Sequence, residues 1–138
     1  MKKLILFLIF ATLTLNCASQ QPPAEKDSGV LKPEKNDDGE WDLIVIDTEY
    51  DYFLNAIAKP KSMYTESVLK SRNISLVEQW NSYYRTGRYR NILESDIDYD
   101  SNENYGLTFE YKLYQVFAYV NWKYKVRFLG LSGMDYSR

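Results

Sequence analysis

TESVLKSRNISLVEQWNSYYRTG, residues 65–87, is the stretch that decides the fold. At 3.6 residues per turn, its large apolar side chains share one helix face, and most of its serines and charges share the other. The first face holds Leu69, Asn73, Leu76, Val77, Trp80, Tyr83 and Tyr84. Gly87 follows the last turn, where a left-handed helix stop favours glycine. The sequence therefore predicts a long amphipathic helix that packs through this face.

One polar residue, Asn73, interrupts the apolar face between Leu69 and Leu76. A buried amide without hydrogen-bond partners costs about 1–3 kcal/mol, so Asn73 must find partners. We expect it to bind the backbone of a neighbouring loop or strand. A role in holding a ligand is the alternative.

A second amphipathic helix is predicted from Thr108 to Lys125. Its apolar stripe holds Phe109, Leu113, Val116, Phe117, Val120 and Tyr124. The opposite side is aromatic as well, because Tyr111, Tyr114 and Trp122 lie there. A helix that is aromatic on two sides is either sandwiched in the core or exposes a patch. The three opposite residues are therefore our main candidates for an interaction surface.

The remaining elements complete a small α+β domain over residues 41–138. Residues 41–47 predict a strand, and Thr48 is placed to cap a shorter helix that ends before Pro60. The apolar run from Val126 to Leu131 is interpreted as a second strand that pairs with the first. We therefore expect two long helices, one shorter helix and a minimal two- or three-stranded sheet.

The chain begins with the features of a secretion signal in residues 1–16. Lys2 and Lys3 precede an apolar run from Leu4 to Leu15. These twelve residues are too few for a membrane-spanning helix, which needs roughly 20. We interpret residues 1–16 as a signal peptide and not as a permanent anchor.

Cys17, the only cysteine, follows this run. The segment Leu13-Thr14-Leu15-Asn16-Cys17 resembles the lipobox of bacterial lipoproteins, although the usual pattern has an aliphatic residue at position 14 and a small one at position 16. The resemblance implies that Cys17 is lipidated and becomes the mature N-terminus, with Ala18 directing the protein to the outer membrane, facing the periplasm. A cleaved signal that leaves an unused cysteine is the alternative. Residues 17–40 are then a lipidated tether rich in Pro, Gln and charges.

The composition excludes several kinds of site. There is no histidine, so Ser-His-Asp and Cys-His catalysis and histidine-based zinc sites are excluded, and no phosphate-binding glycine loop is visible. We predict no cofactor and no catalytic motif. The 17 basic and 19 acidic residues give a net charge of −2, which falls to −4 when Lys2 and Lys3 leave with the signal. This charge gives no reason to expect a nucleic-acid partner.

An acidic stretch, residues 96–104, is the weak candidate for a metal site. Asp96, Asp98 and Asp100 have the alternate spacing of a calcium loop, but Ser101 and Leu107 stand where that loop needs glycine and a bidentate glutamate. We interpret the stretch as an acidic edge strand or loop with Ile97 and Tyr99 inward.

Arginines and tyrosines interleave at the C-terminal end of the first long helix and just after it, in residues 83–90. Arg88, with Arg85 and Arg90, is a candidate for binding a phosphate or, with the tyrosines, for stacking on a sugar or base. The structural alternative is a positive helix C-terminus followed by an arginine-rich loop.

Four short motifs, Arg72-Asn73, Trp80-Asn81, Tyr105-Gly106-Leu107 and Tyr111-Lys112-Leu113-Tyr114, resemble an uncharacterised family of small envelope lipoproteins of the Bacteroidota. The resemblance covers roughly residues 41–128. It implies an envelope location and no assigned activity.

Three functions follow as hypotheses. The first is a non-enzymatic outer-membrane lipoprotein whose domain engages another envelope protein. The second is a small module for glycan or peptidoglycan. The third is a carboxylate-dependent hydrolase built on Asp96, Asp98 or Asp100.

Overall fold

The computed structural model describes residues 34–42 and 47–138, and within them the protein is a mostly helical α+β domain. A hairpin of two short antiparallel strands, β1 (Glu34–Lys35) and β2 (Trp41–Asp42), precedes the helices. The helices are α1 (Thr48–Tyr52), α2 (Glu66–Arg85), α3 (Gly106–Tyr124) and α4 (Gly133–Tyr136). A π-helical turn (Phe53–Ile57) extends α1, and a 3-10 turn (Lys61–Met63) precedes α2.

Helix α2 confirms the prediction from residues 65–87. Its buried residues are Leu69, Asn73, Leu76, Val77 and Trp80. Gly87 follows the helix with φ of 70°, in the left-handed region that glycine enters at low cost. Tyr83 packs against the core, whereas Tyr84, predicted on the same face, is exposed. The apolar face is therefore narrower at its C-terminal end than the sequence predicts.

Helix α3 is the centre of the core. All eight residues from Leu113 to Val120 are buried, so the helix is covered on every side over two turns. Asn73 contacts Glu110 and Trp80 contacts Phe117, and these contacts advance together along both helices. Helices α2 and α3 therefore run in the same direction. Residues 86–105 return the chain from the end of α2 to the start of α3.

The sheet differs from the prediction. Strand β2 occupies the first two residues of the predicted strand, 41–47, and the structure does not describe residues 43–46. The partner of β2 is β1, with Lys35 opposite Trp41, and not the C-terminal segment. The hairpin therefore includes residues 34–40 of the segment predicted as a tether. Asn36 favours this turn because its side-chain oxygen accepts from the backbone of Asp38 and Glu40.

The predicted strand at residues 126–131 is wrong. Gly130 has φ of 79° and the Leu131 amide turns back to the Phe128 carbonyl, so the run is not extended. Helix side chains supply the backbone partners that a strand would have given. The Gln79 amide both accepts from Leu129 N at 2.6 Å and donates to Leu129 O at 3.3 Å.

Asp47, one residue before the predicted cap Thr48, is the N-cap of α1 and accepts from the Glu49 amide. The same carboxylate accepts from the Tyr119 hydroxyl at 2.7 Å and pairs with Lys123 at 3.1 Å. The hydrogen bond to Tyr119 raises the pKa of Lys123, and the hydrogen bond from Tyr119 lowers the pKa of Asp47. This cluster fixes the start of α1 against the end of α3.

Candidate functional site

Tyr111, Tyr114 and Trp122 lie against the domain itself. Tyr114 is 0% exposed, and the other two are half-buried against the core. The Trp122 ring centroid is 5.5 Å from that of Phe53, and the Tyr111 hydroxyl donates to the Lys59 carbonyl at 2.8 Å. An exposed patch of these residues is therefore wrong, because the segment from α1 to Lys59 covers this side of α3.

A polar cluster around Tyr114 joins three helices. Arg72 donates to the Tyr114 hydroxyl at 3.0 Å and pairs with Asp135 at 3.1 Å. Burial raises the pKa of Tyr114 to about 12. Burial also opposes ionisation of Asp135, but hydrogen bonds from Ser132 and Arg72 outweigh it and lower the pKa of Asp135. The cluster is partly buried and holds α4 on α2 and α3.

Asn73 belongs to a second internal cluster. Its side chain donates to the carbonyl of Glu110 at 2.8 Å and to the carboxylate of Glu110 at 2.7 Å. The Tyr99 hydroxyl donates to the other carboxylate oxygen at 2.9 Å. Burial raises the pKa of Glu110, and the two donors only partly offset that rise. Asn73 thus binds a backbone carbonyl as predicted, but the partner is helix α3 and not a loop or strand.

Glu110 is buried, which was not predicted from the sequence. Glu110 lies three residues before Leu113 and seven before Phe117, on the same helix face as the apolar stripe. This spacing could have indicated that Glu110 is buried. Gln115 on the same helix is buried as well, and this too was not predicted.

Arg88 stacks on the protein's own tyrosines. Its guanidinium carbon lies 4.8 Å from the Tyr83 ring centroid and 5.1 Å from that of Tyr89. The rings that the sequence suggested for a ligand therefore already hold a cation. Arg88 fixes the turn after α2, in agreement with the structural alternative.

The acidic stretch is a loop with the predicted pattern of side chains. Ile97 is buried and Tyr99 packs against the core, while Asp98 and Asp100 are exposed. Asp96 faces Arg85 at 3.4 Å. Over the described ranges, no group of three or more His, Cys, Asp or Glu side chains is placed to hold a metal ion.

An open groove, which the sequence pattern did not indicate, lies beside the hairpin. We call it the hairpin groove, and its volume is about 310 Å³. It is lined by Glu40, Trp41, Glu66, Asn104, Tyr105, Gly106, Leu107 and Thr108. Three separate parts of the chain meet here: the hairpin, the first turn of α2, and the start of α3.

Aromatic stacking builds the wall of the hairpin groove. The Trp41 and Tyr105 rings meet edge to face with centroids 5.0 Å apart. Tyr105 in turn stacks on Phe109 at 4.5 Å and on Tyr99 at 5.1 Å. The ammonium of Lys35 lies 4.9 Å from the Trp41 centroid. The groove therefore rests on the core through Tyr105, and Lys35 shows that the indole can hold a cation.

The groove is acidic. None of its eight described lining residues is basic, and two of them, Glu40 and Glu66, are carboxylates. The pKa of Tyr105 is raised by burial and further by the charges of Asp100, Glu103 and Asp98, although its bond with the Asp100 amide works against the rise. Two carboxylates thus line the groove, and the ammonium groups of Lys35 and Lys61 contact its lining residues Trp41 and Thr108.

The predicted lipidation residue, Cys17, lies outside the described residues, as do residues 1–33 of the predicted leader and tether. In the part of the chain that the structure describes, no helix is both long and apolar enough to cross a bilayer.

Residues 4–136 match DUF6146, a family of unknown function, and the chain belongs to that family. The match extends from residue 4 to α4, so it includes the N-terminal apolar run and the folded domain. No curated protein matches the chain. No solved structure matches it either.

Proposed function

We propose that this DUF6146 protein is a lipid-anchored lipoprotein of the outer membrane, of the type found in Bacteroidota, whose domain faces the periplasm and binds another envelope protein without catalysing a reaction. The leader sequence and Cys17 support the anchor. The hairpin groove is the single observation that supports a binding role, because it combines a preformed cavity with aromatic and polar lining.

The position of the groove suits a tethered domain. The hairpin at residues 34–42 forms one wall and is also where the chain arriving from Cys17 enters the domain. About 16 residues separate Cys17 from Glu34. A flexible stretch of that length spans about 20–25 Å on average, which places the groove within reach of other envelope proteins.

A glycan-binding module is the second candidate, favoured by one observation. Trp41 and Tyr105 line the groove beside the amide of Asn104, and rings next to polar groups are what sugar recognition uses. The acids suggested for a hydrolase, Asp96, Asp98 and Asp100, do not line the groove.

Anchoring is tested by metabolic labelling with a radioactive fatty acid. The wild-type chain is expected to take up label and to pellet with outer membranes, and Cys17→Ala should do neither. Label on the Cys17→Ala chain, or its full retention in membranes after signal cleavage, would disprove the anchor.

Partner binding is tested by photo-crosslinking in cells, with the photoreactive residue placed at Asn104 in the groove. The matched control places it at Glu78, which is exposed on α2 and does not line the groove. We expect a discrete protein adduct from position 104 only. Equal adducts from both positions, or none from position 104, would count against the groove as the binding site.

A further inference from the structure

We propose that the loop before α4, residues 127–134, docks the domain on a lipid bilayer that contains anionic phospholipid. We call these residues the C-terminal loop. The proposal rests on the proposed function, because the lipid on Cys17 holds the domain beside a membrane. It adds to that function the side of the domain that faces the lipid.

The C-terminal loop exposes two large apolar side chains. Leu129 is 81% exposed and Met134 is 86% exposed, the two largest values among the exposed large hydrophobic residues that the structure describes. From Phe128 to Met134 the chain carries no charged residue. Single exposed apolar residues are common on proteins, but two of them on one uncharged loop form a surface that favours lipid over water.

The backbone of the loop is already bound by the protein. Gln79 of α2 accepts from the amide of Leu129 at 2.6 Å and donates to its carbonyl at 3.3 Å. The amide of Leu131 donates to the carbonyl of Phe128. The hydrocarbon of a bilayer offers no hydrogen-bond partners, so a residue that reaches it needs its backbone groups bound within the protein. Gln79 meets this need at Leu129, whose side chain can reach the acyl chains while the loop stays at the level of the headgroups.

Exposed cations lie on the chain directly before Leu129. Lys125 and Arg127 are exposed, whereas Val126 and Phe128 are buried. The two cations and Leu129 therefore point away from the core together. Neither Lys125 nor Arg127 belongs to an ion pair with a carboxylate of the described residues. Their charges can therefore pair with lipid phosphates, since anionic membranes attract Lys and Arg near their surface.

Cations outnumber carboxylates around the loop. Among the described residues, the charged side chains in the loop, within two residues of its ends, or bonded to these residues are Lys59, Arg72, Lys125, Arg127 and Asp135. Asp135 is the one acid of this set, and Arg72 pairs with it at 3.1 Å. The next layer outward consists of Arg88 on Tyr83, Glu78 beside Gln79, and Lys123 with Asp47 and Glu49. That layer has two cations and three carboxylates, so an excess of two positive charges remains.

A bilayer fits this surface better than a second copy of the chain does. In a symmetric dimer the same surface would face itself, so its positive excess would meet an equal positive excess. Anionic headgroups supply the opposite charge, and the acyl chains beneath them supply an apolar environment for Leu129 and Met134. The lipid anchor also lowers the affinity that is needed, because it keeps the loop close to the bilayer.

The hairpin groove stays accessible in this arrangement. Glu66 in the groove and Gln79 under the loop both lie on α2, and their spacing places them about 140° apart around the helix. The 16 residues between Cys17 and Glu34 extend to about 53 Å, whereas a domain of about 100 residues has a radius of gyration of about 13 Å. The anchor can therefore reach the bilayer with the loop on the lipid and the groove turned away from it.

The test uses the full lipidated chain in vesicles of phosphatidylethanolamine with phosphatidylglycerol. The fluorescent dye NBD is attached to Met134→Cys, because lipid occupies the thiol of Cys17, and the control carries the dye on Asp98→Cys. Asp98 is exposed and follows Ile97, which Asn81 binds on the other side of α2 from Gln79. We expect nitroxide-labelled lipid to quench the dye at position 134 at least threefold more strongly than the dye at position 98.

The charge requirement is tested with the dye at position 134. Lys125→Gln combined with Arg127→Gln should reduce the quenching at least twofold, and so should replacing phosphatidylglycerol by phosphatidylcholine. The control, Lys61→Gln combined with Lys70→Gln, removes the same charge from side chains that contact Thr108 and the Glu103 carbonyl near the groove. It should leave the quenching nearly unchanged.

The apolar requirement is tested with the same dye. Leu129→Ser should reduce the quenching at least twofold. The control, Tyr84→Ser, removes an exposed aromatic side chain from another side of α2 and should leave the quenching unchanged. Both positions are exposed, so neither substitution removes a core contact.

The proposal is overturned if positions 134 and 98 are quenched alike, if phosphatidylglycerol makes no difference, or if either test variant behaves like its control. An unquenched dye at position 134 on a chain that sediments as a dimer would instead assign the surface to a second copy. Mass spectrometry of the same samples detects the lipid on Cys17. A lipidated chain with equal quenching at both positions would leave the anchor standing while the docking fails. Selective quenching at position 134 in a Cys17→Ala chain, with no lipid on the wild type, would support the docking while the anchor fails.

Discussion

At the scale of single residues, the stability of the molecule depends on buried polar groups that hydrogen-bond to one another. Asn73 and Glu110 are each 0% exposed and lie on different helices. A buried carboxylate is costly unless donors surround it, and Asn73 and Tyr99 supply those donors. The pair therefore sets the register of α2 against α3 as well as filling space.

Removing the amide should be more damaging than an ordinary polar truncation. Asn73→Ala leaves a carboxylate oxygen and the carbonyl of Glu110 without their donor, so we expect a loss of about 2–3 kcal/mol in the free energy of unfolding. Urea denaturation at pH 7 measures it. Ser71→Ala, at an exposed position on the same helix, is the control and should change stability by less than about 0.5 kcal/mol. Equal effects of the two variants would contradict the role of Asn73.

The pH dependence of stability should show the raised pKa of Glu110. The folded chain holds this proton to a higher pH than the unfolded chain, whose glutamates titrate near about 4.3. The protonated form therefore supports the fold below that pH, and the benefit is lost as the pH rises to the folded pKa. Stability of the wild type relative to Glu110→Gln should thus fall between about pH 4 and the folded pKa. Urea denaturation at half-unit pH steps measures this, and a difference independent of pH would contradict it.

At the scale of elements, side-chain amides take the place of strands. Gln79 pairs with both backbone groups of Leu129. Asn81 does the same for Ile97, accepting at 2.7 Å and donating at 2.9 Å. Helix α2 thus holds two irregular segments that have no sheet to join, which explains how a domain with so few strands satisfies its backbone.

Truncating one of these amides should loosen the C-terminal segment. Gln79→Ala removes two hydrogen bonds to Leu129, and we expect a loss of roughly 1–2 kcal/mol in stability. Hydrogen exchange should show faster exchange of the Leu129 amide. Glu78→Ala, the exposed neighbour, is the control and should leave that amide unchanged. Unchanged protection of Leu129 in Gln79→Ala would contradict this assignment.

The side of α3 that carries Tyr111 and Trp122 is expected to contribute to the stability of the domain. Tyr111→Ser with Trp122→Ser removes the contacts to Lys59 and Phe53, so the double variant should lose roughly 3 kcal/mol or more. Thermal unfolding measures this. The control, Tyr84→Ser, changes an exposed aromatic on α2 and should be nearly neutral. A double variant as stable as the wild type would restore the exposed-patch interpretation.

The elements that could be predicted from the sequence are those whose apolar residues recur with a clear helical period. The 3.6-residue pattern located α2 and α3 to within about two residues, and Gly87 marked a helix stop. The C-terminal apolar run was wrongly predicted to be a strand, because Val126, Phe128 and Leu131 are buried without being extended. Nothing local shows that Gln79 will bind both backbone groups of Leu129, within this run. The hairpin groove could not be predicted either, because its residues come from three distant parts of the chain.

At the scale of the whole molecule, the hairpin is packed on the domain and belongs to it. Lys35 pairs with Trp41 across the ladder and also covers its ring. Lys112 of α3 binds Asp42, which fastens the hairpin to the central helix. The hairpin, the groove and the core are therefore joined by direct contacts.

Two shortened chains test this continuity, one that starts at Glu34 and one that starts at Trp41, where the sequence alone places the domain boundary. The second lacks β1 and the turn, so Trp41 loses its ladder partner and the cation on its ring. Net hydrogen bonds contribute about 0.5–1.5 kcal/mol each and the cation–π contact about 0.5–1 kcal/mol. We therefore expect the chain from Trp41 to be about 2 kcal/mol less stable, with Tm lower by roughly 8–16 °C. Differential scanning calorimetry gives both values. Lys35→Gln in the longer chain separates the effects, because it removes the cation and keeps the ladder, and should lower Tm by less than half as much. If the two shortened chains have the same Tm, strand β1 and its turn add no stability to the domain. Glu40 and Trp41 would then not form a fixed wall of the groove.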